Sequence, residues 1–342
     1  MGKTKLIFAL IFLSLGIQSC KKKPTQPDPI EPVQGDVYIT NEGNFMFGNA
    51  SVSLYRPSDG SVVSDLYFAQ NAQALGDVCQ SLYIKGNSIF VVVNNSGKVV
   101  EVDANSFVRK RTISNLVSPR YFLPLSDEKA YCTDLYQNGI SIINLTTGSK
   151  SGVISCNGWT ENLEFVNGKV FVANKTNGKL YVISPATDQI VDSLTLRSDP
   201  NSMSVDKNGT LWVLCGGSSS NAEAAALFKI NATTLTKEEY IFENIRPSKL
   251  TMNGTKDTLF FATQSLFRMG INETQVPSFA FLSPTVNNLY AFSVHPNTYE
   301  IYISDAMDFV QRGRITRFKP SGEQIDSFLA GIIPGGIYFR TE

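Results

Sequence analysis

The chain of 342 residues contains one histidine, His295, within the turn His295-Pro296-Asn297-Thr298. Ser-His-Asp and Cys-His catalysis and most zinc sites draw on imidazole as base or ligand. All such chemistry would rest on one residue that the turn places at the surface. The cysteines Cys20, Cys79, Cys132, Cys156 and Cys215 lie far apart and form no Cys-x-x-Cys pair. The mid-strand places of Cys132 and Cys215 read as small buried hydrophobes, although one disulfide stays open. No GxSxG, HExxH, Walker A, dinucleotide or EF-hand spacing occurs. Carboxylate pairs such as Asp305 and Asp308 are isolated. These residues point to no catalytic site, no metal and no cofactor, and the chain reads as a binding protein rather than an enzyme.

Binding chemistry is better supplied. Asn41, Asn94, Asp134, Asn174, Thr263 and Asp305 each close a β-branched or aromatic run. Phe45, Met46, Phe47, Tyr136, Trp159, Met307 and Phe309 stand in polar, glycine-rich loops where a core role is hard to assign. Arg120, Arg197 and Arg246 lie beside Pro119, Pro200 and Pro247, ready for an anionic ligand or for a carboxylate partner. The expected ligand-binding set is Asn41, Phe45, Phe47, Asn94, Asp134, Tyr136, Trp159, Asn174, Arg246, Asp305 and Phe309.

To bring such residues together, the elements must repeat around an axis. Seven runs share one flavour, from Val37-Tyr-Ile-Thr-Asn41 through Val170-Phe-Val-Ala-Asn174 to Ile301-Tyr-Ile-Ser-Asp305. Their last residues are separated by 53, 40, 40, 41, 48 and 42 positions. That is the blade period of a β-propeller with four antiparallel strands per blade. The fourth copy shows the whole unit, with strands over residues 161–166, 169–174, 179–183 and 189–196. Its Asn167-Gly168 and Pro185/Asp188 turns are hairpin signals. Innermost strands are expected at 81–85, 120–125, 162–166, 202–206, 249–252 and 289–294, one fewer than the second strands. The missing one is supplied by residues 336–340, joining strands at 36–40, 51–55 and 62–68. The C-terminus thereby closes an all-β, seven-bladed ring and leaves no free edge between first and last blades. The one helix-like patch, 221–226, falls inside a loop.

Connections at one end of this ring are short, as at Asn167-Gly168. At the other they are long and aromatic, as in Asn41-Glu-Gly-Asn-Phe-Met-Phe-Gly48. Long loops on a rigid scaffold carry function. The pseudo-symmetry gathers them around a central funnel, where the polar strand closers are expected to ring the mouth.

Hydrophobic residues make up 42% and charged residues only 18%, which excludes a mainly disordered chain. Thirty Lys+Arg against 30 Asp+Glu leave no basic excess for nucleic acid. Residues 1–19 read as a signal peptide, with a basic start and an apolar run too short to span a bilayer. Cys20 follows as an expected lipidation site, and residues 20–35 form a Pro-rich tether (KKKPTQPDPIEP), leaving 36–342 for the propeller.

The lipobox-like Ser19-Cys20, the tether, the opening Val37-Tyr-Ile-Thr-Asn-Glu-Gly-Asn44 and blades such as VFVANKTNGKLYVISPATDQIVDSL resemble the YncE-like propeller lipoproteins of Bacteroidetes-type bacteria. The resemblance spans residues 36–342. It implies an outer-membrane lipoprotein, on the cell surface or facing the periplasm, that holds a small ligand. Cobalamin or another corrinoid is the ligand implied, and a TonB-dependent transporter the partner that receives it. A protein-interaction scaffold in an uptake complex is the second expectation, and a propeller hydrolase or lyase the third.

Overall fold

The computed structural model describes residues 31–341. The leader, Cys20 and the tether up to residue 30 lie outside the described residues. Seven antiparallel sheets follow one another along the chain, six of four strands and one of three. The first blade is closed by the C-terminus: Pro334–Phe339 pairs with Val37–Asn41, which continues to Ser51–Arg56 and Ser61–Val63. Tyr38 faces Tyr338 and Ile39 faces Ile337 across that seam.

The second strand of each blade is apolar nearly throughout because it is covered on both sides, whereas outermost strands such as Gln189–Thr195 are largely exposed. Ser88–Val93 shows how: Ile89, Val91 and Val93 pack with Tyr38, Val52 and Leu54 of the first blade. The alternate residues Phe90 and Val92 pack with Ala130, Cys132 and Ile143 of the third blade. Period-two alternation thus feeds two cores at once. Seven such inter-blade clusters run round the ring, and the last joins Tyr302 and Ile315 to Val37, Ile39 and Ile337. Cys79, Cys132, Cys156 and Cys215 are buried and, among the described residues, unpaired.

Three local expectations are corrected. The fourth strand of the first blade stops at Val63, and Leu66–Asn71 is a short helix instead of the continued strand. Asp65 caps it, its Oδ1 accepting from the Phe68 N–H at 3.1 Å, while Leu66 and Tyr67 turn into the core between the first two blades. The sixth blade, Ser248–Met252, Thr258–Ala262 and Leu266–Gly270, lacks a full fourth strand. A single bridge between Leu266 and Leu282 takes its place, in a stretch where Pro277 and Pro284 have no N–H to donate. His295, expected at the surface, is 8% exposed. Its Nδ1 accepts from the Asn297 and Thr298 N–H groups at 3.2 and 3.1 Å, and its ring meets Phe339 edge-on. The turn consumes the acceptor nitrogen, and the closing strand covers the ring.

Candidate functional site

Each innermost strand carries a register shift at its long-loop end. The shifts fall between Cys79 and Ser81, Pro119 and Phe122, Thr160 and Leu163, and Pro200 and Ser202. They recur between Ser248 and Thr251 and between Leu289 and Ala291, and on the first blade where Thr40 and Asn41 face Gly336 and Pro334. A β-bulge inserts an unpaired residue and re-aims its side chain. Gln80, Arg120, Glu161, Asn201, Lys249, Tyr290 and Gly335 occupy these positions, one from each blade.

Neighbouring members touch. The Arg120 guanidinium donates to both Glu161 oxygens, Nε to Oε2 at 2.8 Å and Nη2 to Oε1 at 2.7 Å, and its Nη1 donates to Gln80 Oε1. Trp159 Nε1 also donates to Glu161. Arg120 and Lys175 both stand over the Trp159 ring, at 5.2 and 4.3 Å from its centroid, and Lys175 pairs with Asp199 at 2.9 Å. Gly335 leaves its slot empty, and Glu42 fills it: a Cβ on Gly335 would stand 2.7 Å from Glu42 Oε1. Tyr290 Oη donates to Glu42 at 3.0 Å, and Phe309 meets Tyr290 edge-on with 5.7 Å between centroids.

A pocket of about 310 Å³ opens over this ring, with Glu42, Gln80, Arg120, Lys249 and Tyr290 on its walls and Phe45 and Asn94 at its side. Burial pushes the Glu42 carboxyl up and the Lys249 ammonium down, each opposed by the charge of the other. Further along the innermost strand of the fourth blade, burial raises Glu164 to about 7, against the pull of Lys256. The arrangement offers paired charges and hydrogen-bonding groups of both kinds, suited to holding a polar molecule by its edges.

The residues expected at this site do not all come together. Phe45, Asn94, Trp159 and Phe309 are brought to the pocket or against its walls. Phe47 and Tyr136 are 76% and 74% exposed in long loops. Asn41, Asp134, Asn174 and Asp305 do not ring the mouth. They are buried in their blades and serve backbone: Asp134 accepts from the Ser118, Tyr136 and Gln137 N–H groups. Asp305 accepts from the Asn287, Asn288 and Met307 N–H groups. Asn174 donates to the Asn157 carbonyl, and Asn41 ties Ser51 and Ser53 to the Gly331 N–H. A short polar side chain at a strand end reaches nearby backbone first. Arg246 donates to the Gly216 carbonyl, away from the pocket, and Arg197 pairs with Glu239.

Sequence reasoning missed Gln80, Glu161, Asn201, Lys249, Tyr290 and Glu42 as site residues. Their one signal was position, each bulge residue falling at the start of an innermost strand.

Among solved structures, a quinonprotein alcohol dehydrogenase-like protein from Bacteroides thetaiotaomicron is similar, at 15% identity and TM-score 0.72, over 91% of this chain and 79% of that one. A functionally unknown protein from Desulfotomaculum acetoxidans matches at 10% identity and TM-score 0.69, over 90% and 99%. A protein from Lactobacillus plantarum matches at 9% identity and TM-score 0.66, over 90% and 99%. At these identities the likeness is one of fold. A comparison with curated proteins gives no match. A family model described as a domain of unknown function matches residues 35–328, nearly the whole ring from the first strand to the outermost strand of the seventh blade, and the chain therefore belongs to that family, DUF5074.

Proposed function

We propose that this protein captures a small polar ligand in the axial pocket of its long-loop face and holds it without turnover. The observation that carries the reading is that the bulge residues of four blades, Gln80, Arg120, Lys249 and Tyr290, line one pocket, with Glu161 of a fifth clamped onto Arg120. Cobalamin, the ligand implied by the resemblance, is far larger than about 310 Å³. It would set one polar edge into the ring and lie across Phe45, Phe47, Tyr136 and Phe309.

The chain enters the fold at the opposite face. Arg56 and Arg340 there hold the carbonyls of Glu31 and Pro32. A lipid on Cys20 would therefore tether the short-loop face to an outer membrane and leave the pocket turned outward for capture. Delivery to a TonB-dependent transporter is the onward step in this reading.

A second reading, docking of a protein partner, is favoured by the exposed apolar rim: Phe45, Met46, Phe47 and Val310 are 63%, 78%, 76% and 68% exposed. Calorimetric titration of the mature protein with cyanocobalamin and its lower-ligand-free analogue tests the first. Saturable heat with unchanged ligand supports capture. Absence of heat at tens of micromolar removes corrinoids, and conversion of the ligand replaces capture by catalysis.

A further inference from the structure

The charges around the ring do not balance in the same way everywhere. Of the cations Arg120, Lys175 and Lys249, the first is clamped by Glu161 and the second pairs with Asp199. The Lys249 ammonium makes no hydrogen bond and no ion pair with any described residue. Its ammonium lies 5.7 Å from the Tyr290 ring centroid, on the pocket wall. Its backbone has φ of +58°, a left-handed conformation that a lysine adopts at a cost. The bulge that holds it so turns the side chain to the axis rather than toward a carboxylate.

Glu42 is the complement. Its carboxylate sits on the same pocket wall and accepts from Tyr290 Oη at 3.0 Å through each oxygen, with no cation in ion-pair contact. Lys249 and Glu42 sense each other's charge across the pocket without touching. A half-buried ammonium without an acceptor and a half-buried carboxylate with one neutral donor each keep unused hydrogen-bonding capacity facing the pocket. What satisfies both is a molecule carrying the opposite charge to each. A plain anion would meet Lys249 but be repelled by Glu42, and a plain cation the reverse. A zwitterion answers both and leaves the charge of the pocket unchanged.

Resting on the capture reading above, we propose that Lys249 and Glu42 are a divided ion pair that selects a zwitterionic ligand of the amino-acid or short-peptide class. The ligand carboxylate accepts from Lys249 Nζ, and its ammonium donates to Glu42 beside Tyr290. Trp159, Phe45 and Phe309 flank the remainder.

The test is calorimetric titration of the mature protein with four probes: glycylglycine (zwitterion), N-acetylglycine (anion), glycinamide (cation) and N-acetylglycinamide (neutral amide). Glycylglycine is expected to bind at least tenfold more tightly than each of the others. Lys249→Met and the near-isosteric Glu42→Gln should each weaken it at least tenfold, while Lys249→Arg retains part of the affinity. Unfolding midpoints of the variants show whether a loss is one of folding, and Glu42→Gln keeps the test decisive if Lys249→Met does not fold. Equal or better binding of the anion, the cation or the neutral amide overturns the proposal, as does unchanged affinity in either variant. Cyanocobalamin binding without any of the four probes overturns it while leaving capture intact. No binding of corrinoid or probes overturns both.

Discussion

Deleting residues 334–342 is expected to abolish the cooperative fold. The loss removes the innermost strand of the first blade and leaves Val37–Asn41 as an open edge in the ring. Ile337 packs in the core between the seventh and first blades, Tyr338 against the core between the first and second, and Phe339 against Tyr302 and His295. Burying each such side chain contributes about 1.5–3 kcal/mol, and the lost ladder adds to that. Against a total stability of about 5–15 kcal/mol, the deletion takes a large share. We expect a truncated chain that is insoluble or unfolds without a sharp transition in urea, and recovery of the transition when a peptide covering residues 332–342 is supplied in trans. An unchanged midpoint in the truncated chain would mean that the ring does not depend on its closure.

Arg120→Ala is expected to be the most damaging single change at the pocket. Glu161 is 5% exposed and takes both oxygens' main partner from the Arg120 guanidinium. Removing one member of a buried pair leaves the other charged and unpaired, at about 3–5 kcal/mol. Gln80 and Trp159 also lose their positioning, so ligand binding falls with stability. The double variant Arg120→Met with Glu161→Leu removes both charges and should regain more than half of the lost stability while binding stays weakened. Urea midpoints at constant slope measure the first part and titration the second. If the double variant is no more stable than Arg120→Ala, the cost comes from packing rather than from the stranded carboxylate.

The ring itself was legible because it is a matter of period. Runs ending at Asn41, Asn94, Asp134, Asn174, Cys215, Thr263 and Asp305 recur at blade spacing, and the missing innermost strand could be found at the far end of the chain by counting. The short helix after Asp65 was not, since Leu66-Tyr67-Phe68 is as compatible with a strand as with one buried helical turn. The site was legible only to within one strand. The polar closers form a visible series, yet Asp134 faces Pro119, Asn174 faces Thr160 and Asp305 faces Leu289. The residues that line the pocket are instead bulge residues beside such partners, Gln80, Arg120, Lys249 and Tyr290. Gln, Arg, Glu, Asn, Lys, Tyr and Gly share no chemistry that a repeat search would align. What they share is a backbone irregularity, and a bulge leaves little trace in composition.

Trp159 allows the ring to be watched directly. The chain has two tryptophans. Trp212 is 0% exposed in the core between the fifth and sixth blades, where its Nε1 donates to Asp206. Trp159 lies against Arg120, Lys175 and Glu161. Tryptophan emission recorded while the four glycine derivatives are titrated should change saturably for at least one of them, and that change should vanish in Trp159→Phe. Flat emission with every probe, or the same change persisting without Trp159, would contradict a zwitterion site at the bulge ring.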